Sequence, residues 1–260
     1  MTFLPIVRRE LSVTARRWGT FWLRSGVALG MIVAATWIFV ISRHDSQREI
    51  GKVIFYVLTG AALAYCLFAG LRATADCLSE EKREGTLGLL FLTDLRGYDV
   101  VTGKLFANSL NAFYGVLAVV PVLGLPLLMG GVAAGEFARV ALVLLNTLFF
   151  SLSAGLLASA LSTSNRKAIA ATFLFVLLFT AGFPALGAWI AWLKKTGNIA
   201  SVWYFPSAVY TYVCALDQPF RVQSKDYYWS LGIIHGLGWM FLALASLIAP
   251  HTWQDRPIGA

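Results

Sequence analysis

Between Ala73 and Leu105 the chain sets ten charged side chains around a ladder of leucines. The charges are Asp76, Glu80, Glu81, Lys82, Arg83, Glu84, Asp94, Arg96, Asp99 and Lys104, and the ladder is Leu87, Leu89, Leu90, Phe91 and Leu92. Residues of these types could do three kinds of chemistry. The paired carboxylates Glu80 and Glu81 could move protons. The run from Gly97 to Gly103-Lys104 could cradle a phosphate. A charged rim around an apolar ridge could dock a partner. The phosphate reading fails on spacing, because a nucleotide loop has four residues between its glycines and Ser or Thr after the lysine. Here five residues intervene and Leu105 follows, with no strand pattern before it. Lys104 fits better as an anchor at the cytoplasmic end of an apolar run.

The elements that must hold these residues are membrane spans. Of 260 residues 58% are hydrophobic and only 13% charged, about half the roughly 25% of a soluble chain, and the mean hydropathy is +0.70. Six runs are long enough to cross the ~30 Å of a bilayer core. They lie at about 25–42, 53–71, 105–130, 137–161, 168–193 and 229–249. Pro121 and Pro126 interrupt the third, and Gly182, Pro184 and Gly187 the fifth. Such breaks survive where neighbours or water satisfy the freed backbone groups, so spans three and five are expected to face protein or a pathway over part of their length. The expected fold class is all-α, a polytopic membrane protein in a single domain.

Ahead of the first run, residues 1–24 mix Arg8, Arg9, Arg16, Arg17 and Arg24 with Trp18 and Trp22. This composition fits a helix lying in the interface, with arginines on phosphates and tryptophans at head-group depth. No small-x-small cleavage site follows, so the first run is expected to stay as a span. With both termini in the cytoplasm, thirteen Lys and Arg fall inside and eight outside, the bias of the positive-inside rule. The net charge of +8 sits at the ends of apolar runs, where anionic lipids meet it. No basic cluster carries stacking aromatics, which argues against nucleic acid. Residues 194–228 hold Trp203, Tyr204, Phe205, Tyr210, Tyr212 and Phe220, punctuated by Pro206 and Pro219. They read as short external helices seated at the interface or a re-entrant turn, or else as a packed external cap.

Catalysis at membrane depth lacks its groups. No acidic residue lies inside a run, His235 stands alone on an apolar face, and Cys66, Cys77 and Cys214 form no metal or disulfide pattern. The Glu80-Glu81 pair is a poor match to intramembrane proteases of the CAAX type: Gly85 stands where their arginine belongs.

The remaining pattern is Glu80-Glu81-Lys82-Arg83-Glu84-Gly85-Thr86-Leu87-Gly88-Leu89-Leu90, then Thr93-Asp94-Leu95 and Gly103-Lys104-Leu105. It resembles the signature of ABC-2-type transporter permeases, as do the Arg8-Arg9-Glu10 lead and the six-run plan. Asp94 departs from the family, where proline is common at that turn. The resemblance implies a permease subunit of an ABC exporter in the cell (inner or cytoplasmic) membrane. Two copies, or one with a related permease, would form the pathway. Two separate ABC ATP-binding subunits would dock on a cytoplasmic coupling region at 73–104 between spans two and three. No cofactor would bind this chain, ATP and magnesium belonging to the partner, and it would not itself be an enzyme. The coupling residues would be Glu80, Glu81, Arg83, Glu84, Gly85, Thr86, Leu87, Leu89, Leu90 and Leu95, with Arg8, Arg9, Arg16, Arg17, Trp18 and Lys104 as interfacial anchors. The residues themselves fit a helical extension of span two, broken at Gly85, followed by a leucine helix capped by Thr86 and seated in a partner groove. A membrane scaffold that binds an ATPase through the same region without moving substrate would carry the same motif.

Overall fold

A computed structural model describes residues 18–41, 46–85, 96–195 and 201–251, with the backbone alone at 18–24, 27 and 28. The described residues contain helices and no strand. Five helical units are long and apolar enough to cross a membrane: Gln47–Arg83, Gly97–Leu128, Ala134–Leu161, Asn165–Leu193 and Ser224–His251. The first expected run falls in α1 (Trp18–Ile41), whose apolar stretch Leu29–Ile41 is shorter. Residues 18–24 continue into that run without a break. Arg8, Arg9, Arg16 and Arg17 lie outside the described residues, and Trp18 begins α1.

The second run is α2 (Gln47–Ala73), started by Ser46, whose hydroxyl accepts from the Glu49 N–H at 3.4 Å. Past a turn at Thr74–Asp76 comes α3 (Cys77–Arg83). The third run is α4 (Gly97–Leu117) and α5 (Val120–Leu128), interrupted ahead of Pro121 as expected, because proline cannot donate the helix bond. Pro126 is accommodated inside α5.

The fourth run, α6 (Ala134–Leu161), is the pillar of the bundle. It packs against α2, α4 and the helices that follow, and 78% of its most apolar stretch is buried. The fifth comprises α7 (Asn165–Leu177), a π-helical turn at Leu178–Gly182, and α8 (Phe183–Leu193). Only 11% of its apolar stretch is buried, and what packs against protein lies at the break, where Phe179 meets Phe150 and Phe241. The turn ahead of Pro184 widens to the π form, and the Ser207 hydroxyl reaches over to donate to Thr180 O at 2.8 Å. The carbonyl that Pro184 leaves without a helix donor, Thr180 O, is thus satisfied by Ser207.

The aromatic segment does form short helices: a 3₁₀ turn at Ser201–Trp203, α9 (Ala208–Ala215) and α10 (Asp217–Val222), leading into α11 (Ser224–Ile248). It is packed rather than free. Tyr212 OH lies 2.7 Å from the Thr59 hydroxyl of α2, and Arg139 of α6 donates to Ala215 O at 3.0 Å while lying 3.9 Å from the Phe220 ring centre. The Glu136 carboxylate accepts from the first amide of α10, Asp217, at 3.1 Å.

Candidate functional site

The charged stretch begins where α2 and α6 cross at their closest. Gly70 and Gly155 make the approach possible: a Cβ on Gly70 would land on the Ser151 carbonyl oxygen, and one on Gly155 on the Thr74 hydroxyl. Polar side chains bond the two backbones through the contact. Ser151 Oγ accepts from the Gly70 N–H at 2.9 Å and donates to Leu67 O at 2.7 Å. Thr74 Oγ1 donates to Leu152 O at 2.8 Å. In an apolar medium small residues allow close helix contact and hydroxyls join the helices.

One turn further along α6, Ser159 caps the next helix. Its Oγ accepts from the amides of Leu78 and Ser79 at 2.9 and 3.0 Å. Those are among the N–H groups a helix start leaves without an internal partner. Asp76, the residue before α3, does not cap it. Its carboxylate accepts instead from both guanidinium nitrogens of Arg83, at 2.9 and 3.0 Å, and from the Ser79 hydroxyl. Lys82 Nζ donates to Ala160 O, the second tie from α3 to the end of α6. A third runs to α4: Lys104 Nζ sits 2.6 Å from Glu81 Oε1, and the two side chains are only 7% and 17% exposed.

This arrangement corrects three expectations. The chain past span two is no straight extension of α2, but a separate seven-residue helix after a turn. Lys104 is no interfacial anchor, because its ammonium lies inside the protein on Glu81. Glu81 in turn faces inward, not toward a docking rim. The physical reason is shared. A buried ammonium requires a buried counter-charge, and α3 brings Glu81 within reach of Lys104 in the third turn of α4.

The other expected residues divide cleanly. Glu80, Arg83, Glu84 and Gly85 are exposed, and Glu80 and Glu84 stand one turn apart, where the Glu84 amide bonds Glu80 O at 3.0 Å. Gly85 has φ +69° just past the helix end, the left-handed position that glycine takes at a helix terminus. Thr86, Leu87, Leu89, Leu90 and Leu95 lie outside the described residues. The Gly97–Lys104 run is helix from its first residue, with the Asp99 carboxylate accepting from the Arg96 N–H at 3.2 Å.

A family model described as ABC-2 family transporter protein matches residues 7–245. The chain belongs to that family. No curated protein matches it. This ABC-2 family protein is therefore a multi-pass, all-α membrane protein of a transporter family, and the described part of its signature stretch is α3 with Gly85 and the start of α4. The stripe of small residues that holds α2 and α3 escaped sequence reading. Ser151, Gly155 and Ser159 recur every fourth residue in α6, and that spacing of small residues was the available signal.

Elsewhere the membrane-depth polar groups are satisfied. Trp239 Nε1 donates to His235 Nε2 at 3.0 Å, which places the imidazole proton on Nδ1 toward Asn146 Oδ1, also at 3.0 Å. Asn146 passes its own N–H to Leu231 O at 2.9 Å. His235 is thus a hydrogen-bonded tie between α6 and α11. No group of His, Cys, Asp or Glu suited to a metal occurs among the described residues.

Ser159 gives a first prediction. Leu78, Ser79 and Ser159 are all fully buried, so Ser159→Ala strands two amides and should destabilise the protein by about 1–3 kcal/mol. Thermal unfolding in lipid nanodiscs reads this out. Ser153→Ala is the control, since its hydroxyl only donates to Phe149 O within its own helix, at 2.8 Å. Equal effects from the two variants would remove the capping role.

Proposed function

We propose that this ABC-2 family protein is the membrane-spanning permease subunit of an ABC exporter of the cell membrane. It works as a dimer, with itself or a related permease, with α1 as a sixth span and both termini in the cytoplasm. Two ABC ATP-binding subunits dock on residues 73–104 and carry the ATP, the magnesium and the hydrolysis. This chain contributes no catalytic residue and binds no cofactor.

The observation that supports the reading is the fastening of α3. A seven-residue helix is too short to hold itself together in water, so its place is set by Ser159, Ala160 and Lys104. A partner pushing on the exposed Glu80, Arg83 and Glu84 face would move the end of α6 with it. Because α6 contacts most of the bundle, that push reaches the spans that would open and close a pathway. Gly85, with φ +69°, ends α3 just ahead of the leucines of the proposed docking face.

The test replaces Glu84, Gly85 and Leu90 singly, as Glu84→Lys, Gly85→Ala and Leu90→Asp, in the chain co-expressed with its ATPase. Loss of co-purification or of permease-stimulated ATP hydrolysis is expected. Survival of both in all three variants would end the docking hypothesis. Substrate movement into sealed vesicles separates a permease from a scaffold, which would keep the complex and move nothing.

A further inference from the structure

A cavity of about 150 Å³ lies between α2, α4, α5 and α6, at the point where the third span is broken. Its deep wall is Phe55, Val116, Val119, Val140 and Leu144, all buried. Its mouth is formed by Phe113, Leu117, Val120 and Leu145, each between 38% and 46% exposed. The lining contains one hydroxyl, that of Thr59, already donated to Phe55 O at 2.6 Å and joined to Tyr212 OH at 2.7 Å. No charge and no free polar group faces the space.

The cavity has a cause in the sequence. The α4 helix ends at Leu117 and the chain restarts at Val120 with Pro121 in the first turn. The step between them leaves a wedge that side chains of α2 and α6 do not fill. Phe55 is eight residues into α2 and Leu144 ten into α6, or roughly 12–15 Å along each helix axis. The four rim residues are apolar and belong to the spans Gly97–Leu128 and Ala134–Leu161, which suits the wedge to hydrocarbon rather than water.

We propose that this cavity seats the end of a bilayer acyl chain. An apolar cavity of this size stays dry and admits small apolar guests. A polar ligand would find no partner for its donors and acceptors. An acyl chain reaches the mouth without leaving the hydrocarbon, and by filling the void it restores the dispersion contacts that an empty space forfeits. The seated chain props the α4–α5 step, so the lipid becomes part of the packing around α6.

The full-length protein is reconstituted in vesicles of phosphatidylcholine bearing a diazirine near the acyl terminus, irradiated, and mapped by peptide mass spectrometry. Adducts are expected to concentrate in Phe113–Leu123 and Val140–Leu145, above the level on the exposed α8 surface at Leu186–Leu193. Ala141 lines the cavity, so Ala141→Phe should remove that excess and leave the α8 adducts unchanged. Ala141→Leu offers the same reading with a smaller side chain if the phenylalanine variant does not fold. The proposal is overturned by wild-type adducts at the mouth no higher than on α8, or by an excess that a folded Ala141 variant retains. It is equally overturned if Leu145→Cys disulfide-links two copies of the chain and the mouth labels only after reduction, because a second copy then covers it.

Discussion

Lys104→Met is expected to destabilise the protein by about 3–5 kcal/mol, the usual consequence of removing one member of a buried ion pair. The Lys104 ammonium and the Glu81 carboxylate lie 2.6 Å apart and are almost shut off from water. Taking away the ammonium removes the charge that Glu81 Oε1 meets at 2.6 Å in a nearly closed setting. Glu81→Gln should cost comparably from the other side. The double variant Glu81→Met/Lys104→Met should recover most of the loss, since an apolar pair of similar volume often replaces a buried ion pair at little cost. Thermal unfolding of the three variants in nanodiscs makes the comparison. If the double variant is no more stable than Lys104→Met, the pair is not the tie between α3 and α4 that its geometry implies. The same variants bear on function. Lys104→Met should weaken assembly with an ATPase although Lys104 cannot touch it, because α3 loses its hold on α4 while Glu80 and Glu84 remain exposed.

The second large effect is expected at the α2–α6 crossing. Gly70→Ala puts a methyl group onto the backbone oxygen of Ser151, and no rotamer change can move a carbonyl out of the way. The helices must separate, breaking the Ser151 and Thr74 hydrogen bonds that cross between them. A loss of about 3 kcal/mol or more follows, at the upper end of what overpacking costs. Gly155→Ala meets the Thr74 hydroxyl and, at 2.7 Å, Gly70 O, so it should behave alike. Gly60 supplies the control within α2. It faces open space, and Gly60→Ala should be neutral or stabilise by about 0.4–1 kcal/mol. The readout is yield of monodisperse protein and its unfolding temperature. Should Gly70→Ala match Gly60→Ala, the crossing is looser than the distances state.

How much of this was legible in the chain differs from element to element. The long apolar runs required helices, because a backbone in hydrocarbon must satisfy its own hydrogen bonds. Pro121 and Pro184 announced breaks, since proline has no N–H to give. Gly85 announced the end of α3, where the backbone takes a conformation that costs other residues about 1–2 kcal/mol. The acidic run and Gly-Thr-Leu pattern pointed to the ABC-2 family, and the family match over residues 7–245 agrees.

Which charged residue faces which way was not legible. Glu80 and Glu81 are identical and adjacent, yet one is exposed and the other closes on Lys104. Only the packing angle of a short helix against α4 and α6 separates them. Nor could the sequence single out α6 as the pillar and the fifth span as its most exposed neighbour. In water a buried face differs in polarity from an exposed one, and the periodicity shows it. In a bilayer both faces are apolar, so hydrophobicity reports that a helix spans and says nothing of its neighbours. The sequence by itself determined the helices, their breaks and the family. The tertiary structure decided which leucines are exposed, which serines join helices, and which of two adjacent glutamates is buried. These depend on contacts between residues about eighty positions apart, such as Leu78 with Ser159.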